Sequence, residues 1–367
     1  MSALRHLRRF DWVLAGSAAV LLALGVMAIA SLALSHDPPD WRHAIKHLVF
    51  IAFGIAILFF GSSIDYRALR AGSRSIYCAG VVLLLLVLFF GVTIRGTRGW
   101  FAWGGMTWQP VEFIKIVLLI FLARYFEQWA RDIDRIRHIL LSGAGVFLVI
   151  ALIIFQPDMG SALLLFAVWF GMLVVVGIRR RHFFTLMAIG VAVAAIAWLF
   201  LLHDYQRARI LTFFEPSRDP LGQGYNTTQA TIAIGSGRFL GRGFGFGSQS
   251  QLRFLPEAET DFVFAVIAEE LGFVGTALLL SMWMLFFWRM LAAIRNAHDD
   301  FALFFLLGSL LLFFVEASVT IGMNVGLLPV TGLTLPFVSY GGSSLLAHFM
   351  ILAIIESIII RNRSVSL

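Results

Sequence analysis

Ten stretches of roughly 17 to 27 residues run through this chain with few charged side chains, each near the length a membrane-crossing helix needs. They lie at about 12–34, 45–61, 76–93, 109–126, 139–155, 160–177, 183–202, 262–288, 301–322 and 341–360. No soluble core hides that much apolar chain in 367 residues, so the pattern predicts an all-α polytopic membrane protein in one unit, residues 1–367. A mean hydropathy of +0.89 agrees. The opening "MSALRHLRRF" has the charge of a signal peptide, but the apolar run behind it is too long for one and reads as an uncleaved first span. One cysteine, Cys78, leaves no basis for a disulfide framework or a cysteine metal cluster.

The net charge of +7 does not point to nucleic acid, because the basic residues are sorted by loop. With the N-terminus placed inside, seventeen arginines fall in inner segments, among them Arg67, Arg70, Arg74, Arg179, Arg180, Arg181 and Arg361. The short outer loops receive only Arg42, Lys46, Arg95 and Arg98. Cationic loops stay cytoplasmic, so both termini are expected there. The long segment 203–261, between the seventh and eighth spans, is then the large extracytoplasmic loop. Its glycines, aromatics and six arginines fit an ordered loop folded back on the bundle better than a linker.

Ionisable groups inside an apolar span are functional candidates by default. Glu112 and Lys115, at i and i+3, share a helix face: either a self-neutralising pair or a cationic group facing a substrate cavity. Asp158, in "QPDMG", either caps the following helix or serves a ligand. Glu316 has no partner nearby in sequence. In "PEAETDFVFAVIAEELG" Asp261 stands at the outer end of the eighth span, where it or Thr260 could cap that helix. Glu269 and Glu270 fall two turns further in. A carboxylate sharing one side of the membrane with Arg209, Arg218 and other loop arginines points to a lipid phosphate or pyrophosphate substrate, since arginine grips phosphate oxygens in pairs.

"QPVEFIK" at 109–115, "QPDMG" at 156–160, "DPLGQGYNTTQATIAIGSG" at 219–237, "LPEAETDFVFAVIAEELG" at 255–272 and "GLLPVTGLTLPFVSYGGSS" at 326–344 together resemble the SEDS family, polytopic peptidoglycan glycosyltransferases, from the first span to the last. The overall length is closer to the RodA branch than to FtsW. The resemblance implies ten transmembrane helices, a bacterial cytoplasmic-membrane location and polymerisation of lipid II on the outer face. It implies Asp261 as the catalytic aspartate and a class B penicillin-binding protein, a transpeptidase, as partner. A divalent cation, Mg or Mn, is implied by the resemblance alone, and no self-contained metal site is legible.

The expected division of labour follows from the chemistry. The acceptor hydroxyl needs a base within hydrogen-bond reach, assigned to Asp261. The departing pyrophosphate needs positive charge, assigned to Lys115, Arg98, Arg209 and Arg218, with Glu112 and Asp158 also at the substrate site. Glu269, Glu270, Ser339, Gly341 and Gly342 are expected to shape the cavity. Three positions depart from the family pattern: Glu259 for a histidine, Val111 for a serine, and Gly99 for an arginine that here falls at Arg98. Two other classes compete. A lipid-linked oligosaccharide flippase would not need a base at the surface, and a non-catalytic scaffold would tolerate loss of Asp261.

Overall fold

The computed structural model describes residues 8–94, 96–104, 106–201, 207, 211–213, 215 and 223–365. The chain forms a helical bundle: α1 (Trp12–Ala33), α2 (Arg42–Ser63), α3 (Tyr66–Phe90), α4 (Pro110–Trp129), α5 (Ile136–Ile154), α6 (Met159–Val176), α7 (Arg180–Ile196), α8 (Gln223–Gly237), α9 (Ser248–Gln251), α10 (Val263–Arg295), α11 (Asp300–Asn324) and α12 (Gly342–Val365). Aspartates start four of them. Asp11, Asp65, Asp158 and Asp299 each accept a first-turn backbone N–H, satisfying one of the donors a helix start leaves open. Pro110 opens α4, where its missing N–H costs nothing.

Among the described residues nine helices are long and apolar enough to cross a membrane. Of the ten stretches expected, the one left out is α4, which carries Glu112, Lys115, Arg124 and Glu127. It lies against α3, α11 and α12 all the same. Of the nine, α12 is the most enclosed by protein and α7 the least. Several helices run past the apolar limits read from sequence. α3 begins at Tyr66 rather than near 76, because almost three turns bearing Arg67, Arg70 and Arg74 continue the helix beyond its apolar part.

The all-α expectation needs one addition. Val92–Ile94, Thr97–Trp103 and Met106–Trp108 form a small antiparallel sheet, β1 to β3, with Val92 opposite Trp100 and Phe101 opposite Trp108. Aromatic runs split by glycines are a hairpin signal, and "TRGWFAWGGMTW" carries it in a stretch read only as an outer loop.

The two ends of the bundle differ in charge. At one end Arg363 donates to the carbonyls of Arg9 (2.7 Å) and Phe10 (3.1 Å), Arg289 pairs with Asp11, Arg361 reaches the Ser63 carbonyl (2.9 Å), and Arg70 and Arg124 hold Glu127. At the other end gather the starts of α2, α4, α6, α10 and α12 and the segment 325–341 between α11 and α12. There His43 meets Glu259, the Gln109 N–H donates to Ser343 Oγ (3.0 Å), and Gly160 lies so near the Thr331 carbonyl that a Cβ would stand 2.5 Å from it.

The 203–261 stretch holds the largest surprise. Its described part contains a 15-residue helix, α8, packed along α10. α10 breaks at Gly272 (φ 63°, ψ −154°), a conformation open essentially to glycine alone. The break frees backbone groups, and residues 238–243 take them up. Arg242 and Gly243 N–H donate to the Glu269 and Glu270 carbonyls (2.9 and 3.0 Å), while Phe273 and Val274 N–H donate to those of Arg238 and Phe239 (2.9 and 3.2 Å). A helix may break in or near hydrocarbon only where protein satisfies the freed groups. Arg289 sits beside Asp11 at the start of α1, and Glu270 beside Ser31 near its end. The part of α10 after Gly272 is therefore the length matched to α1, and Val263–Leu271 continues beyond the break.

Candidate active site

Asp261 sits in a tight turn closed by the N–H groups of Thr260, Asp261 and Phe262 on the Glu257 carbonyl (3.2, 3.1 and 3.3 Å). Neither Thr260 nor Asp261 stands at the N-cap position: the residue before α10 is Phe262, whose own side chain makes no cap. The cap comes instead from another helix. Asn324, fully buried at the end of α11, accepts the Ala265 N–H on Oδ1 (3.1 Å) and donates through Nδ2 to the Asp261 carbonyl (2.8 Å) and the Thr320 carbonyl (2.8 Å). With its backbone held and α10 capped from elsewhere, the Asp261 carboxylate turns toward the 325–341 segment. Oδ2 lies 4.0 Å from where a Cβ on Gly332 would stand, and the residue is half-buried.

The 325–341 segment is stitched to this turn. Ser339 Oγ donates to the Thr260 carbonyl (2.6 Å) and accepts the Leu335 N–H (2.9 Å). The Tyr340 N–H donates to the Glu259 carbonyl (2.8 Å), and Thr320 Oγ1 donates to the Leu333 carbonyl (3.2 Å). Gly341 lies against Ser344 and Gly342 against the Phe50 ring, where a Cβ would stand 2.4 and 2.5 Å from their nearest atoms. Glu259 pairs with His43 of α2, whose ring stacks on Tyr340 at 5.0 Å. Burial, and then the Glu259 carboxylate, push the Tyr340 phenol above its ordinary value, so at neutral pH it remains an O–H donor. The departure at Glu259 is thus accommodated by an imidazole from a different helix.

Glu112 and Lys115 do form a pair, Nζ to Oε2 at 2.8 Å, and the partner that sequence did not supply for Glu316 is found. Lys115 Nζ also reaches Glu316 Oε1 (2.6 Å), and the other Glu316 oxygen meets His348 Nε2 (3.0 Å). Lys115 is 1% exposed, and Glu316 lies eight residues before Asn324, about 12 Å along α11. Both described acceptors of the ammonium are thus protein carboxylates below the Asp261 level, which favours the self-neutralising reading over a cation held open for pyrophosphate. Glu112, Glu316 and His348 also form, among the described residues, the only trio of such groups near enough to hold a metal, with ligand atoms within 4.8 Å of one another. A divalent cation there would face the buried ammonium that already bridges both carboxylates, so this donor set does not fit one.

The other candidates fall as follows. Asp158 caps α6, accepting from Ser161 N–H (3.0 Å) and Oγ (2.8 Å). Arg98 donates to the Phe89 and Gly91 carbonyls (3.0 and 3.3 Å) at the end of α3, so its guanidinium is engaged on that helix terminus. The glycine beside it, Gly99, is buried, and a Cβ there would stand 3.1 Å from the tip of the Gln156 side chain, at Oε1. Glu269 accepts the Gln249 and Ser250 N–H groups (2.8 and 3.0 Å) and caps α9, and Glu270 accepts from Ser31. Arg209 and Arg218 lie outside the described residues. Sequence reading missed Asn324, His43 and His348. A lone Asn after an apolar run reads as a helix end, and histidines remote in sequence give no sign of the acids they meet.

A family model described as a cell cycle protein, covering the FtsW, RodA and SpoVE proteins, matches residues 8–364. The peptidoglycan glycosyltransferase MrdB of Escherichia coli strain K12 is 36% identical over 342 residues, 92% of each chain. A chain solved in a peptidoglycan synthase complex, in a study of how polymerisation and crosslinking are coordinated, superposes with a TM-score of 0.82 at 32% identity, covering 97% of this chain and 98% of that one. The crystal structure of the Thermus thermophilus rod shape determining protein RodA superposes with a TM-score of 0.71 at 30% identity, covering 97% of each.

Proposed function

Because the chain belongs to the FtsW/RodA/SpoVE family, we propose that it is a peptidoglycan glycosyltransferase that polymerises lipid II, with Asp261 as general base. The observation that carries the assignment is the state of Asp261. Its backbone is held by Asn324, its helix is capped by another residue, and its half-buried carboxylate faces Gly332 at the end of the bundle where six elements converge.

In this reading the Asp261 carboxylate takes the proton from the acceptor sugar's 4-hydroxyl as that oxygen attacks the anomeric carbon of the donor. The bond from that carbon to the pyrophosphate oxygen breaks, and the lipid pyrophosphate leaves as an anion. It needs charge stabilisation more than a proton, so one carboxylate suffices where most glycosidases use two. Arg209 and Arg218 remain proposed pyrophosphate ligands, with Arg98 reaching it only by releasing its helix-end carbonyls.

The end carrying Arg9, Arg70, Arg289 and Arg363 is assigned to the cytoplasm and the Asp261 end to the outer face of the bacterial cytoplasmic membrane, supported by the sorting of cationic residues. The synthase-complex relative supports a class B penicillin-binding protein as partner. The test is polymerisation of lipid II by purified protein. Asp261→Asn should lower the rate by about 100-fold or more, the range expected for loss of a general base, with lipid II binding retained. Wild-type turnover by a folded Asp261→Asn protein removes Asp261 from that role.

A further inference from the structure

A cavity of about 350 Å³ opens between α8 and the segment following α11, lined by Thr212, Phe213, Thr227, Thr228 and Thr231 on one side and by Val325, Gly326, Pro329 and Val330 on the other. Its size lies within the range of small-molecule sites. Among its described lining residues there are four threonines and no charged side chain. A purely apolar tail would gain nothing from the hydroxyls. The hydroxyl protons of Thr228 and Thr231 already go to the Gly224 and Thr227 carbonyls (2.8 and 2.9 Å). What those two oxygens can still offer is lone pairs, so they suit a ligand that brings O–H or N–H donors. Phe213, Ile232, Val325 and Val330 supply apolar surface beside them. A neutral ring with hydroxyls on its edge, C–H bonds on its face and an acetamido methyl matches each of these features.

The cavity and Asp261 share one segment. Gly326 faces Thr227 and Thr231 (3.6 and 3.8 Å from a Cβ position), and six residues later Gly332 faces Asp261 Oδ2. Six residues of extended chain span at most about 20 Å, and Asn324, one residue before the cavity wall begins, holds the Asp261 carbonyl. We infer that this threonine-lined cavity is a saccharide subsite that holds an N-acetylated sugar next to the pair reacting at Asp261. The inference rests on the glycosyltransferase reading and extends it from the reacting bond to the neighbouring unit of the glycan.

The test compares two ligands on the purified full chain. One is a lipid II analogue whose terminal 4-hydroxyl is replaced by hydrogen, so that it cannot be extended. The other is undecaprenyl pyrophosphate, which has the same lipid and phosphates but no sugar. Thr231→Trp, which fills the cavity, should weaken the first about 10-fold and leave the second unchanged. The near-isosteric double variant Thr228→Val, Thr231→Val should act in the same direction and guards against misfolding by the bulkier residue. With lipid II, both variants should release shorter glycan strands than the wild type. Equal weakening of both ligands, or unchanged affinity for the sugar-bearing one in both variants, overturns the subsite. Failure of the wild type to polymerise lipid II would instead overturn the function beneath it, while the ligand comparison would still report the subsite.

Discussion

At the scale of single residues, the buried ammonium of α4 is enclosed by groups of opposite sign from two helices. Lys115 lies between Glu112 and Glu316 with His348 on the far oxygen, all nearly inaccessible. Removing one member of such a set leaves its partners charged and unpaired, which costs about 3–5 kcal/mol. Lys115→Met should therefore lower the unfolding midpoint in detergent sharply. The double variant Glu112→Gln, Lys115→Met, which leaves the Glu316–His348 contact in place, should recover part of the loss. A Lys115→Met protein as stable as the wild type would show that the cluster does not hold the bundle. Sequence made the Glu112–Lys115 pair legible because i and i+3 residues on a helix must meet. It could not supply Glu316 or His348, which come from helices 200 and more residues away. Asn324, which accepts a first-turn N–H of α10, was not legible, because only packing brings the end of α11 to the start of α10.

At the scale of elements, the Asp261 end of the bundle includes the break in α10. The apolar count finds this helix but reads straight through Gly272, because one glycine in an apolar run leaves hydropathy almost unchanged. The same blindness hides α8, whose polar, small-residue sequence "QGYNTTQATIAIGSG" has neither the length nor the hydropathy of a span. The break and the 238–243 segment depend on each other. A Cβ on Gly272 would stand 2.3 Å from the Gly241 nitrogen, and one on Gly241 would stand 2.0 Å from the Glu270 carbonyl. Gly272→Ala combines that clash with a backbone conformation costing a non-glycine residue about 1–3 kcal/mol. It should detach the segment and expose the arginines beside it. Trypsin should then cut after Arg238 or Arg242 at least several-fold faster than in the wild type, with the bundle still folded by circular dichroism. Unchanged cleavage would mean that the segment is anchored by something other than the break.

At the scale of the whole molecule, parity constrains the topology. Arg363, near the end of α12, touches the Arg9 and Phe10 carbonyls at the start of α1, so the first and last helices have their outer termini at the same end of the bundle. A chain that starts and finishes at one end has crossed an even number of times. Nine helices qualify by length and hydropathy among the described residues, and if all nine cross, a tenth crossing makes the count even. The element available is α4, whose Glu112 and Lys115 neutralise each other inside the bundle and whose Arg124 holds Glu127 near the other end. A hydropathy criterion rejects α4 for its charges, while its packing against α3, α11 and α12 retains it. The arrangement predicts that the segments flanking α4 open to opposite sides of the membrane. On a Cys78→Ser background, Thr107→Cys ahead of α4 and Glu257→Cys ahead of α10 should react with a membrane-impermeant maleimide added outside intact cells. Asp132→Cys, after α4, should react only once the cells are opened. Equal labelling of Thr107→Cys and Asp132→Cys in intact cells would mean that α4 does not cross.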